Sequence, residues 1–403
     1  MNDKTDNLLW YANPDSPEGI NTVDEIAAIL RPNLSVAGWP AEAGSKALEN
    51  YRPPEDAAVV AHARKAGGHL IGMSRMSELG FGINGETAPQ LLSESRCNVF
   101  LGTDGMGEAR HTAALAGAWG FKPSFGIAST LGVIRLFSSL ETIGMAAGSP
   151  SHIKALAGAL CRKDESDFSM HHDGLPDFSA PGKAASPGEI RIGILPEQIS
   201  LLDESDKNAF ESAVAGLVEK GFQVEPVSFP EYGNFRLVHH VMGAVEAFSS
   251  AGKYDGVRYG HRAKTAGNWN EMYLESRREA FGALIKSYLF QGAWFQFKNY
   301  PAFEHAARLR ARLIEQIREL LGRVDFIASP VRRGDRDAFA AGSVDDVYGA
   351  FALTLPANVA GLPSLCVPGL VSRGDTDLGL QLTGGHLKDQ QLLDFAATHL
   401  ASD

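Results

Sequence analysis

Cysteine is scarce in this chain, and its placement argues against two classes of site. The 403 residues include Cys97, Cys161 and Cys366, which lie far apart and show no CxxC spacing. We therefore expect free, buried thiols rather than disulfides or a zinc site. The adjacent histidine pairs at 171–172 and 239–240 point opposite ways on a helix or strand, so they are poor metal candidates. We expect neither a metal nor a cofactor.

Long basic runs and long apolar runs are also missing. The 37 Lys and Arg residues stand against 48 Asp and Glu residues, which gives a net charge of −11. Direct nucleic-acid binding needs clustered positive charge, so we do not expect it here. The first twenty residues lack the basic start and apolar stretch of a signal peptide, and no apolar run reaches membrane-spanning length. The sequence predicts a cytoplasmic protein without membrane association.

Short apolar runs alternate with amphipathic stretches along the chain. Apolar residues repeat on one helical face between 306 and 320, and the Asp-, Ser-, Gly- and Pro-rich segment near 164–187 predicts a loop. This alternation predicts an α/β fold with a mainly parallel sheet covered by helices on both faces. We expect an N-terminal helical segment, 1–60, packed on a single body, 61–403. The runs that predict strands are 69–72, 98–102, 189–195, 324–329, 364–367 and 378–383.

A glycine-rich loop joins a predicted strand to a helix of small residues. Residues 102–126 read GTDGMGEARHTAALAGAWGFKPSFG. Backbone N–H groups at the start of a helix can bind an anion or stabilise an oxyanion. Taken alone, the glycines are equally consistent with a tight turn.

The whole stretch resembles the hallmark of the amidase signature family, G-[ST]-D-x-G-G-S-[IV]-R-x-P-A followed by G-x-x-G-x-K-P. Further segments are similar to one branch, the A subunits of glutamyl-tRNA(Gln) amidotransferases: 44–60, 254–263, 272–282, 354–368 and 378–385. The resemblance covers roughly residues 20–400 and implies an α/β/α fold around a large mixed sheet. The residues in register with the hallmark are Gly102, Thr103, Asp104, Gly107, Arg110, Ala113, Gly117, Gly120, Lys122, Pro123 and Gly126.

The chain departs from the family at its catalytic triad. The resemblance implies a nucleophilic serine, a relay serine in a Gly-Gly-Ser loop, and a lysine base in a K-D-N segment. Glu108 stands at the nucleophile position, 82–99 contains no Gly-Gly-Ser run, and 34–48 contains no K-D-N. A carboxylate does not form the usual acyl-enzyme. The sequence therefore predicts a degenerate member that has lost the triad and does not hydrolyse amides.

Two functions of different classes follow from this prediction. The first is a non-catalytic binding protein, which holds a small carboxylate or amide ligand or joins a partner subunit or a homo-oligomer. The second is a repurposed enzyme of a small biosynthetic pathway, acting on an acyl, amide or carboxylate substrate through Glu108 and His111 with Asp104. The candidate substrate-binding residues are Gly105, Met106, Gly107, Arg110, Tyr254, Arg258 and Tyr259.

The side chain of Glu108 has two alternative placements. Its carboxylate either fills the oxyanion position beside the backbone amides of 105–108, where hydrogen bonds lower its pKa, or it pairs with Arg110 or is exposed. Asp104 and Arg110 are expected to brace the glycine loop.

Arg258 also has two alternative roles. It either binds the carboxylate or amide ligand, or anchors to Asp255 or Glu275 as a structural ion pair.

Overall fold

The fold comes from a computed structural model that describes residues 8–16, 26–171, 173–180, 185–335, 340–374 and 376–401. Short apolar runs in these segments form extended strands, as the alternation in the sequence predicts. The strands are β1 (Leu9–Ala12), β2 (Ala27–Leu30), β3 (His69–Ser74), β4 (Val99–Asp104), β5 (Trp119–Lys122), β6 (Thr142–Ala147), β7 (Arg191–Ile194), β8 (Gln223–Pro226), β9 (Phe326–Pro330), β10 (Ser364–Val367), β11 (Ser372–Arg373), β12 (Thr376–Asp377) and β13 (Leu380–Gly384).

Eleven of these strands form one mixed sheet, in the order β1-β3-β2-β4-β6-β5-β10-β13-β9-β7-β8. β2 pairs in parallel with β3 and β4, and β7 pairs in parallel with β8 and β9. The pairs from β4 through β6, β5, β10 and β13 to β9 are antiparallel. The predicted α/β fold with a large mixed sheet is confirmed, and its parallel pairs lie in the two flanks.

Helices cover both faces of the sheet. Neighbouring residues of β4 show this, because Leu101 packs in the cluster that includes Val59 and Leu156, whereas Phe100 packs with Ala113. The helices are α1 (Ala58–Lys65), α2 (Ala88–Ser93), α3 (Glu108–Ala116), α4 (Pro150–Leu160), α5 (Pro196–Ile199), α6 (Glu204–Glu219), α7 (Gly233–Ala251), α8 (Trp269–Ala280), α9 (Ala283–Phe297), α10 (Tyr300–Leu320), α11 (Val344–Ala350), α12 (Leu355–Val359) and α13 (Asp389–His399).

The described residues up to 60 do not form the helical segment that the sequence predicts. Among the described residues up to 60, the structure has β1, β2, a 3-10 turn at Lys46–Leu48 and the first residues of α1. β2 lies between β3 and β4, and all four of its residues are buried. A strand buried on both faces has no polar alternation, so its period could not be read from the sequence.

Other expectations concern cysteines, loops and metals. The three cysteines are free and buried, as predicted. In the described part of 164–186 the chain forms no helix or strand. The described residues contain no group of three or more His, Cys, Asp or Glu that could hold a metal ion. Among the described residues, every helix is too short or too polar to span a bilayer.

The close packing of α9 on α7 depends on Gly292, and this gives a stability test. A Cβ at this position would lie 2.0 Å from the carbonyl oxygen of Ala244. We expect Gly292→Ala to lower the free energy of unfolding by about 2 kcal/mol, because the two helices must move apart. Gly216→Ala on α6 is the control, since a Cβ there meets nothing within 4 Å. It should raise stability by about 0.5–1 kcal/mol. Equal urea midpoints for the two variants would contradict this account.

Candidate active site at the start of α3

The glycine loop connects the end of β4 to the start of α3. Gly107 has a φ of +133°, and a Cβ there would lie 2.3 Å from Oγ1 of Thr354. The same Thr354 hydroxyl donates to the carbonyl oxygen of Met106 at 2.6 Å. Glycine is therefore required at 107 both by backbone conformation and by the close approach of Thr354, just before α12.

The carboxylate of Glu108 points back at the backbone of the loop. Its Oε2 accepts hydrogen bonds from the N–H groups of Gly105, Met106 and Gly107 at 2.7, 2.8 and 3.2 Å. Its Oε1 is buried and has no hydrogen-bond partner. The first of the two placements expected for Glu108 is thus the one found, because Arg110 is engaged by Asp104 instead.

The pKa of Glu108 differs from the expectation. Burial, together with repulsion from Asp104, raises the pKa of this carboxyl from 4.5 to about 7. The positive charge of Arg31 and the backbone hydrogen bonds act in the opposite direction but do not compensate for the loss of water. The predicted lowering is therefore wrong, and Glu108 can exchange a proton near neutral pH.

Asp104 and Arg110 brace the loop as predicted. Nε and Nη2 of Arg110 lie 3.0 and 2.8 Å from the two carboxylate oxygens of Asp104. Arg110 also donates to the Thr354 carbonyl, to the Asn358 side chain and to the Gln381 side chain. Burial opposes ionisation of Asp104, yet Arg110 and Asn358 hold the pKa of Asp104 below its ordinary value. This charged pair is extensively hydrogen-bonded.

A second buried pair lies beside the loop. Arg31 directly follows β2, is 1% exposed, and forms an ion pair with Glu86. Its Nη1 contacts the backbone and hydroxyl oxygens of Thr103 at 3.4 and 3.3 Å, while Nε has no partner. Arg31 is not among the predicted site residues, because the lysine base that the family resemblance implies belongs in 34–48. The signal is the basic residue in AAILRPN, directly after a buried strand.

His111 does not form the predicted acid–base pair with Glu108. Its ring lies 4.3 Å from that of Phe351, and both ring nitrogens are buried without a hydrogen-bond partner. Burial, with repulsion from Arg332 and Arg110, lowers the pKa of His111 to about 3. The imidazole is therefore neutral and cannot serve as the partner acid of Glu108.

His239, expected only as a poor metal candidate, holds the loop from the other side. Its Nε2 lies 2.9 Å from the Gly105 carbonyl oxygen and its Nδ1 lies 3.0 Å from the Tyr348 hydroxyl. Because a carbonyl only accepts, Nε2 donates to Gly105 and Nδ1 accepts from Tyr348. Burial lowers the pKa of His239 to about 4, which keeps the ring neutral.

The remaining predicted ligands lie in a separate group. The Arg258 guanidinium lies 5.9 Å from the centre of the Tyr259 ring, and Tyr254 contacts the same ring at 6.2 Å. Within the described segments, neither Asp255 nor Glu275 forms a salt bridge with Arg258, so the expected anchor is not found. No hydrogen bond between described residues joins this group to the glycine loop. Its role in binding a substrate stays a prediction.

This geometry can be compared with known proteins. A model of the family described as Amidase matches residues 25–90 and 90–393 of the chain. The chain belongs to the amidase family. The resemblance expected from the glycine loop is therefore confirmed at the level of the family.

Relatives of this amidase-family chain align over nearly its whole length. The A subunit of the glutamyl-tRNA(Gln) amidotransferase from Halobacterium salinarum is 29% identical over 411 residues, which cover 93% of this chain and 95% of the relative. The crystal structure of the corresponding A subunit from Thermotoga maritima has a TM-score of 0.77 at 21% identity, covering 97% of this chain and 87% of that one. A 6-aminohexanoate cyclic dimer hydrolase matches with a TM-score of 0.75 at 19% identity, covering 92% and 83%.

These matches correct the functional prediction. Neither the non-catalytic binding protein nor the repurposed biosynthetic enzyme is supported, because the relatives that align end to end are named amidotransferase subunits. Nothing among the matches points to a catalytically inactive protein. The amidase-family relationship, and the closeness to the A subunits, stand.

The raised pKa of Glu108 makes its contribution to stability depend on pH. Between pH 4.5 and about 7 the unfolded chain ionises this carboxyl while the folded chain keeps the proton, so stability falls as pH rises. Glu108→Gln removes this titration. We expect the variant to gain on the order of 2 kcal/mol relative to wild type between about pH 5 and 8 in urea unfolding. A constant difference between the two proteins across this range would contradict the raised pKa.

Proposed function

We propose that this amidase-family protein cleaves a carboxamide and releases ammonia, with Glu108 as the catalytic residue. Three observations support the proposal. The chain belongs to the amidase family, its end-to-end relatives are named amidotransferase subunits, and a carboxyl with a pKa of about 7 stands at the start of α3. The placement of this carboxyl carries the proposal, because three backbone N–H groups hold its Oε2 while its Oε1 has no partner. A pKa near the working pH is also what makes a general base effective.

Glu108 acts as a general base on water. The backbone amides of the loop fix Oε2, and Oε1 is left to take the proton. The water oxygen attacks the carboxamide carbon as its proton moves to Oε1. The carbon–nitrogen bond then breaks while the proton passes to the leaving nitrogen, so that a carboxylic acid and ammonia form and Glu108 is regenerated.

Arg31 supplies positive charge to the same step. Its guanidinium is buried and close enough to Glu108 to influence the carboxyl electrostatically, and its Nε–H is unpartnered. A fixed cation in a buried region of low dielectric constant stabilises the negative charge that develops on the carbonyl oxygen. Asp104 and Arg110 are positioning residues, which hold the loop rather than touch the substrate.

A cleft lies next to residues that neighbour Arg31 in the chain, although neither Arg31 nor Glu108 lines it. It has a volume of about 450 Å³ and is lined by Pro32, Met76 and Gly85, the chain neighbours of Arg31, Ser77 and Glu86. Charged side chains also line it, namely Glu42, Lys46, Glu49 and Arg75. A polar cleft of this kind suits a small amide that carries charged groups.

The proposal is tested by ammonia release from glutamine, asparagine and simple aliphatic amides. We expect wild-type protein to release ammonia from at least one of them, at a rate that rises with pH through about 7 as Glu108 ionises. Glu108→Gln should lower this rate at least about 100-fold, because the amide cannot accept the proton.

Glu219→Gln is the matched control, since Glu219 is exposed at the end of α6, and its rate should equal that of wild type. Melting temperatures of both variants establish that they are folded. Absence of ammonia release from every amide, or full activity in Glu108→Gln, would overturn the proposal.

We also propose that the chain works beside a different partner chain. The support is the name of its relatives, which are A subunits, and an aromatic face on α9 that has no covering element among the described residues. Phe290, Trp294 and Phe297 lie on this face and are 73%, 51% and 70% exposed. Such a run of large exposed apolar side chains is typical of an interface. A cytoplasmic location stays a prediction.

Sedimentation of the chain with the purified products of the genes flanking its own tests this association. We expect a complex with one of them, weakened at least about tenfold by Phe290→Gln with Phe297→Gln, because both anchors are lost. Leu274→Gln on α8 is the control, since Leu274 is 69% exposed outside this face. Absence of any such complex, or self-association of the chain through the α9 face, would contradict a different partner.

A further inference from the structure

A large cavity lies apart from Glu108. Its volume is about 770 Å³, and it opens between the last turns of α10, the segment after α12 and the segment before α13. Arg310 and Arg318 reach it from α10, Gly361 lies on one side, and His386 and Lys388 lie on the other. Neither Glu108 nor Arg31 lines it, so it is not part of the amide site.

The side chains around this cavity are mainly basic. Arg310, Arg318, Lys388, His171 and His386 line it, against Asp325 as the one carboxylate among the described lining residues. Asp325 is already engaged, since its Oδ2 accepts from the Arg191 backbone N–H at 2.9 Å. This local excess of positive charge stands out in a chain whose net charge is −11.

Arg310 is engaged by the Val359 carbonyl and by Ser139, so the other basic groups are the ones that face the cavity without an acidic partner among the described residues. The rings of His171 and His386 lie 5.1 Å apart. Burial, with repulsion from His171, Lys122 and Arg318, lowers the pKa of His386. No salt bridge to Arg318 or Lys388 occurs within the described part of the chain. Arg310, Arg318 and Lys388 outnumber the single lining carboxylate, Asp325, and this leaves a positive potential that an anion relieves.

The cavity also has an apolar wall. Phe125, Ile314, Leu321 and Leu362 line it beside the basic groups. Sites for small molecules combine such apolar walls with a few converging polar groups. The cavity volume of about 770 Å³ exceeds what a single inorganic ion needs, so the cavity suits an organic molecule or one with several anionic groups.

We propose that this cavity binds a small polyanion, a compact molecule that carries two or more carboxylate or phosphate groups. Arg318 and Lys388, both exposed at the rim, attract the ligand. The half-buried His171 and His386 contact it deeper in the cavity. Arginine and lysine share carboxylate and phosphate as preferred partners, so both chemistries fit.

Calorimetric titration of the full-length protein with citrate and with pyrophosphate tests this site at about 0.1 M salt, where long-range attraction is screened. We expect saturable binding of one molecule of at least one probe. Arg318→Gln with Lys388→Gln should weaken it at least about tenfold, because two charge-assisted contacts are lost. If citrate binds more tightly, the ligand is a carboxylate, and if pyrophosphate binds more tightly, it is a phosphate.

Arg323→Gln with Lys298→Gln is the matched control, because both side chains are exposed and lie outside the cavity, and its binding should equal that of wild type. Glu108→Gln should also bind normally, which separates this site from the proposed amide site. No saturable binding of either probe up to about 10 mM, or equal weakening in the control, would overturn the proposal.

Discussion

The buried ion pair between Asp104 and Arg110 is the interaction on which the site depends. It links the last residue of β4 to the first turn of α3, and the other N–H groups of Arg110 reach α12 and β13. Two charges without water are costly unless every polar atom is paired, and here the pairing is extensive. The pair therefore fixes the path of the glycine loop, and the loop in turn directs three backbone N–H groups at Glu108.

The two carboxyls at this junction are held in different protonation states by their surroundings. Asp104 is hydrogen-bonded to a guanidinium and stays ionised, whereas for Glu108 the attraction of Arg31 is opposed by repulsion from Asp104 and does not offset burial. Desolvation acts on both, so the difference comes from the partners. Separated pKa values at neighbouring acids are the usual basis for proton transfer in enzymes, and this supports the role given to Glu108.

Much of the fold could be predicted from the sequence, because buried strands leave apolar runs of recognisable length. The runs at 98–102 and 364–367 correspond to β4 and β10, and the glycine loop lies where its motif indicates. The run that forms β2 has the same character, yet it lies within the segment 1–60 that the sequence predicts to be helical. The importance of Arg31 could not be predicted either, because it depends on the buried strand that Arg31 directly follows. The placement of the Glu108 carboxylate beside the loop amides could be predicted as one of two alternatives, but the direction of its pKa shift could not.

The sequence by itself determined the family, the mixed α/β architecture and the residue types at the β4–α3 junction, because these depend on local pattern and motif. Only the tertiary structure decided which charges meet. Arg110 contacts side chains almost 250 residues away at Asn358, and Arg31 meets Glu86 across 55 positions. Whether His111 faces Glu108 or Phe351 was also settled by packing. Burial and partner choice set the protonation of each group, and both arise from contacts distant in sequence.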